Sequence, residues 1–175
     1  VLETGTPDRN ATYASGSGGT TLNFTYTVQA GDTSADLDYV ATNSLNLNSG
    51  TIKDSVGNDA TLTLPTSGDT NSLGNNQAII IDTTAPTTPS GLALQTPATS
   101  PNSDTTPTIR ISGVVSGDTV KLFTNNTCGT EVGSATASGV TVDVTSSALT
   151  DATYSFYANS TDAAGNISSC STATV

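Results

Sequence analysis

The chain has 175 residues and a net charge of −11, from 15 acids set against Arg9, Lys53, Arg110 and Lys121. So few cations cannot neutralise phosphates or an anionic membrane, which excludes nucleic acid as a partner. The absence of His, with Cys128 and Cys170 as the only cysteines, removes Ser-His-Asp and Cys-His catalysis and the usual zinc and copper sites. Hydrophobic residues make up 34% and aromatics 5%. The remainder is dominated by Thr, Ser, Asn, Gly and Asp, which favour strands and turns, so the fold class is all-β. No apolar run approaches the ~20 residues that cross a bilayer, so no membrane insertion is expected within this segment. No signal segment opens the chain. The start "VLETGTPDRN" falls inside a strand-like pattern, which predicts a piece of a longer secreted protein whose amino-terminal domain is truncated.

In chain order, the strongest amino-side strand is "TTLNFTYTVQ", with Leu22, Phe24, Tyr26 and Val28 on the core face. The acidic stretch "QAGDTSADLDYV" fits no strand pattern cleanly. Further strands are expected at "SLNLN", "ATLTLP" and "AIIIDT", separated by Gly, Asn, Asp and Ser turns. Pro86, Pro89, Pro97, Pro101 and Pro107 then crowd "APTTPSGLALQTPATSPNSDTTP". Each fixes its own φ and extends the residue before it, so a short rigid linker near residue 84 divides 1–84 from 85–175. The length suits two such domains.

Beyond the linker, "GLAL", "TPTIRISG", "DTVKLF", "EVGSA", "GVTVDVT", "ATYSFYA" and "ISSCSTATV" make about seven strands at the spacing of a sandwich. Alternation places Ile109 and Ile111, Val120 and Leu122, Val140, Val142 and Val144, and Tyr154, Phe156 and Ala158 on inward faces. Leu149, Asp151 and Tyr154 in "LTDATYSF" match a tyrosine corner, where a buried phenol caps an upstream backbone group. "KDSVGN" and "TDAAGN" share D-x-x-G-N, a turn in which Asp accepts backbone hydrogens and Gly takes positive φ. The even cysteine pair in an acidic Thr/Ser-rich chain suggests a Cys128–Cys170 disulfide and an oxidising location, with two buried thiols as the alternative.

Taken together, "IDTTAPTTPSGL", "LTDATYSFYANSTDAAGN" and "TYTVQAGDTSADLDY" with "GTIKDSVGNDATLTL" resemble the bacterial immunoglobulin-like and cadherin-like tandem repeats of large surface proteins and adhesins. The resemblance implies two tandem Ig-like, Greek-key β-sandwich domains in an exported stalk, with neighbouring repeats of the same chain as partners. It places the chain at the cell surface, extracellular and non-catalytic, presenting a binding domain away from the cell. The alternative is a tip module that recognises a glycan or protein on another cell. The chain departs from antibody domains in lacking a core Trp and in the spacing of its cysteines.

Calcium is the candidate cofactor, because short carboxylates supply hard oxygen ligands. In an Ig-like carboxyl domain the B–C and F–G loops would gather Asp118, Asp162 and Asn166 next to Asp82 of the linker. Asp32, Asp36 and Asp38 in "GDTSADLDY" form a second candidate set, with D-x-D spacing that puts two carboxylates on one side of an extended segment. Solvated or hydrogen-bonded turns are the plainer reading of both. Glycosidase chemistry needs two carboxylates across a cleft, and no aromatic platform marks one. An isopeptide bond needs a buried lysine, whereas Lys121 should point outward and Lys53 flanks a turn.

Overall fold

The computed structural model describes residues 1–172. The chain divides into two compact units, Val1–Thr83 and Thr84–Val175.

In the first unit β1 (Thr12–Ser15) pairs antiparallel with β2 (Asn23–Thr25), and β3 (Thr33–Ser34) with β4 (Ile81–Asp82). A single helical turn, α1 (Leu73–Asn76), is capped by Ser72, whose hydroxyl accepts the Asn75 N–H. The structure departs from the periodicity of "TTLNFTYTVQ". Phe24 and Val28 are exposed, and Tyr26 is half-buried. Among the described residues β2 pairs with β1 alone, and an isolated ribbon has no covered face. Phe24 instead meets Tyr13 edge-on, with ring centres 6.1 Å apart. Of the three isoleucines, Ile81 is buried while Ile79 and Ile80 are exposed.

"SLNLN" and "ATLTLP" form no continuous strand, although Leu64 N–H reaches the Thr42 carbonyl and Leu45, Leu47, Leu62 and Leu64 are half-buried. The acidic stretch that matched no pattern is the best-covered part of this unit. Asp32, Ser34, Leu37, Asp38 and Tyr39 are all buried there.

In the second unit six strands form two antiparallel sheets. β5 (Gly91–Thr96), β6 (Thr108–Ser112) and β9 (Thr141–Thr145) make one, in the order β5-β6-β9. β7 (Thr119–Phe123), β8 (Glu131–Thr136) and β10 (Tyr157–Thr161) make the other, in the order β10-β7-β8. This is the arrangement of an immunoglobulin-like sandwich. The period-two pattern explains the core: Ile109 and Ile111 of β6, Val120 and Leu122 of β7, Val144 of β9 and Ala158 of β10 are all fully buried.

Two details differ from the pattern. Val140 is exposed because β9 starts one residue later, and its carbonyl is used to accept the Gly113 and Val114 N–H groups. Tyr154 and Phe156 join the core from the connection ahead of β10, which begins at Tyr157.

The segment after β10 runs back along it. Thr161 bridges Ile167, and the Ser168 and Ser171 N–H groups reach the Ser160 and Ala158 carbonyls. The Ser168 and Ser171 hydroxyls accept the N–H groups of Ser160 and Ala158 in return. Hydroxyls thus stand where ladder carbonyls would, and the segment follows β10 without being a regular strand. Residues 173–175 of the expected last strand lie outside the described residues. On the outer faces Arg110 clasps Asp143 through two 2.8 Å bonds across β6 and β9, and Lys121 points outward to Glu131 at 2.8 Å.

Gly133 lets β8 pass close to β9. A Cβ there would stand 2.5 Å from the Thr145 carbonyl oxygen and 3.1 Å from Val144 Cγ1, whereas one at Gly139 would meet nothing within 4 Å. Gly133→Ala is therefore expected to lower stability by about 1–3 kcal/mol, the usual range for overpacking. Gly139→Ala is the control and should leave stability nearly unchanged. Denaturant unfolding of the two variants checks this, and equal stabilities would refute it.

Candidate functional site

The acids fall into three settings. The first is a buried charge network around Asp32, which is 1% exposed. One of its oxygens accepts Arg9 Nε at 2.8 Å. The other accepts the Tyr26 hydroxyl in a short bond and the Gln29 N–H at 2.8 Å. The Tyr26 bond, with help from Arg9, holds the Asp32 pKa below the usual carboxylate range against the opposing effect of burial. Burial and the adjoining Asp32 raise that of Tyr26. Asp32 is thus committed to holding the segment 26–32 against Arg9. Neither Arg9 nor Tyr26 was singled out in the sequence as its partner. The available clue was chemical, since a buried carboxylate needs a cation and the chain has only four.

The second setting is a cavity of about 300 Å³ lined by Asp36, Asp38, Ser67, Gly68, Gly74 and Asn75. A Cβ at Gly74 would lie 3.2 Å from Asp38 Oδ2 and 3.4 Å from Asp36 Oδ2, so these two carboxylates flank one point. The structure therefore brings Asp36 and Asp38 together and turns Asp32 elsewhere. Asp38 is buried. It accepts the Tyr39 N–H at 2.8 Å and, on its other oxygen, the Ser67 hydroxyl and the Gly68 N–H, both at 3.1 Å. Burial opposes ionisation of Asp38, but these donors outweigh it and lower its pKa.

The third setting is a turn that occurs once in each unit. In the first, Asp54 Oδ1 accepts the Asn58 N–H at 2.9 Å and Oδ2 accepts Asn58 Nδ2 at 2.8 Å. In the second, Asp162 makes the same pair of bonds to Asn166, at 2.9 and 3.0 Å. Gly57 and Gly165 donate 3.2 Å bonds to the Asp carbonyls, with φ of 94° and 91°. The flanking residues bridge alike, Lys53 with Asp59 and Thr161 with Ile167. The Asn side chains are the first cause of the lowered pKa of Asp54 and of Asp162.

Asp118 lies beside the second of these turns. The last rung of β7 and β10 pairs Thr119 with Thr161, which makes Asp118 and Asp162 the next residues out on adjacent strands. Asp118 is 5% exposed, and its Oδ2 has no hydrogen-bond partner among the described residues. Asp82 belongs to the first unit, where it pairs with Thr33 in the β3–β4 ladder. Among the described residues no three acids, cysteines or histidines are grouped so as to hold a metal ion.

Cys128, in the turn between β7 and β8, is bonded to Cys170 with Cα atoms 5.7 Å apart. The bridge passes beside the first residues of β10 and joins the returning segment to the β7–β8 turn. Tyr154 is half-buried, and its hydroxyl meets that of Thr150 at 3.1 Å, a side chain where the corner pattern expects a backbone group.

The described strands define an all-β chain whose second unit is a disulfide-tied Ig-like sandwich. Residues 98–175 match the family model of the bacterial Ig-like domain, which supports the resemblance to bacterial Ig-like repeats across that unit. No curated protein matches the chain. Among the described residues no helix is long and apolar enough to cross a membrane.

Because the Asp32 pKa is depressed in the folded state, its contribution to stability is full above the unfolded value of about 4 and is lost as pH falls through the folded value. Asp32→Asn is therefore expected to destabilise the chain at neutral pH, with the gap to the parent closing as the pH is taken below about 4. Urea unfolding of both proteins across that range checks this, and a gap independent of pH would assign the loss to packing alone.

Proposed function

We propose that the chain is a pair of tandem structural repeats in a bacterial surface adhesin or fibre, non-catalytic, extracellular and serving to space a binding domain from the cell. The observation that carries this reading is the matched Asp-x-x-Gly-Asn turn, which closes a hairpin with the same bonds in both units. A module repeated along a chain would carry such a turn in each copy. The family match over residues 98–175 supports the surface setting. The competing reading, a tip module for a glycan or protein on another cell, has less support from this turn, because the same internal bonds recur in both units. Exchanging these residues for an unrelated sandwich pair of equal length in a displaying bacterium should preserve adhesion. Lost adhesion, or a specific glycan-array signal from the isolated chain, would favour the tip module.

Calcium is proposed as a stiffener at the Asp118 end of the second unit. A buried carboxylate oxygen without a donor is unfavourable, and a hard cation supplies the missing partner. Asp118 would hold the ion through that oxygen, with carbonyls and the neighbouring Asp162–Asn166 turn as further oxygen sources. Binding to the native state alone raises the melting temperature. At fixed ionic strength, millimolar calcium should raise it for the parent chain, EGTA should reverse the rise, and Asp118→Asn should abolish the response. No rise in the parent, or an equal rise in the variant, would remove calcium from this site.

A further inference from the structure

A larger cavity, about 730 Å³, opens at the other end of the second unit, between the β5–β6 connection and the connection leading into β10. Pro97, Pro101, Leu149 and Tyr154 line it together with Asp104 and Asp151. Pro97 and Pro101 restrict the backbone of one wall, which lowers the ordering cost when something enters. Tyr154 is held by its packing in the core and by its bond to Thr150, and it is part of the opposite wall.

The charges at this cavity are of one sign. Asp104 uses Oδ1 to hold the Thr106 N–H and hydroxyl at 2.9 and 3.1 Å. Asp151 is exposed and has no partner among the described residues. No Lys or Arg lines the cavity, and all four cations of the chain are paired elsewhere, with Asp32, Asp59, Asp143 and Glu131. Two carboxylates without a cationic partner, beside an aromatic ring and prolines, repel anions and suit a cation carried on an aliphatic stem. The carboxylates take its charge, the Tyr154 ring offers an aromatic contact and the prolines cover the stem. The volume exceeds that of one side chain, so there is room for the backbone that bears it.

We propose that this cavity docks an extended arginine- or lysine-bearing segment of a partner protein. The site is independent of both the spacer role and the calcium site, which involve other residues.

The test is a titration of the isotope-labelled 175-residue chain with an acetylated hexapeptide carrying two arginines, followed by amide chemical shifts. Saturable shifts confined to residues 97–107 and 149–156 are expected. The same peptide with citrulline at both positions should not produce them. Asp151→Asn should weaken binding about fivefold, as for loss of one complementary charge. Asp69→Asn makes the same change in net charge outside the cavity and should leave affinity unaltered. The proposal is overturned by the absence of shifts, by equal weakening in both variants, which would mean diffuse attraction to an acidic protein, or by equal binding of the citrulline peptide. Cellobiose moving the same amides without the peptide doing so would assign the cavity to neutral sugars instead.

Discussion

Carboxylates accepting backbone N–H groups are the interaction on which several of this chain's loops depend. With so few large apolar residues, the loops cannot be fixed by burying side chains. Asp32, Asp38, Asp54 and Asp162 each fix a local segment by taking one or more N–H groups. Such bonds to a charged acceptor are stronger than neutral ones and need no core beneath them. The same economy explains why the chain tolerates its net charge, since many of the acids are already engaged by donors in the fold.

The two units show two balances of these forces. In the second, alternation along β6, β7, β9 and β10 supplies a real core, and polar pairs such as Arg110–Asp143 decorate its outside. In the first, buried polar residues are interleaved with a few apolar ones in a single stretch, from Asp32 to Tyr39. There the apolar residues of the β1–β2 ribbon cover one another at the surface instead of filling an interior.

Legibility in the sequence follows that difference. The strands of the second unit were readable because period-two burial against a facing sheet is written directly into residue order, as at Ile109 and Ile111. Val140 misled because alternation does not reveal where a turn takes over a carbonyl. The first unit misled more, because Leu22, Phe24 and Val28 alternate as a core strand would, and periodicity cannot say whether a second layer exists to cover them. At the candidate sites, D-x-D spacing accounts for Asp36 and Asp38 lining one cavity. It could not show that Asp32 turns to Arg9, 23 residues upstream, since such long-range pairing leaves no local pattern. The shared D-x-x-G-N string was a weak signal on paper. It gained weight only when both copies proved to make the same bonds.

The bond between Cys128 and Cys170, separated by 42 positions, also determines what the second unit can do under load. A pull along the chain enters through β5, β6 and β7 and leaves through the end of the returning segment. β8, β9 and β10 all lie within the covalent loop and carry none of that tension once the cysteines are reached. Some 42 residues, or about 140 Å of fully extended chain, are thereby withheld from stretching. A molecule built from such units would yield in short steps and recover quickly, because half of each unit stays looped beside the residues it must rejoin.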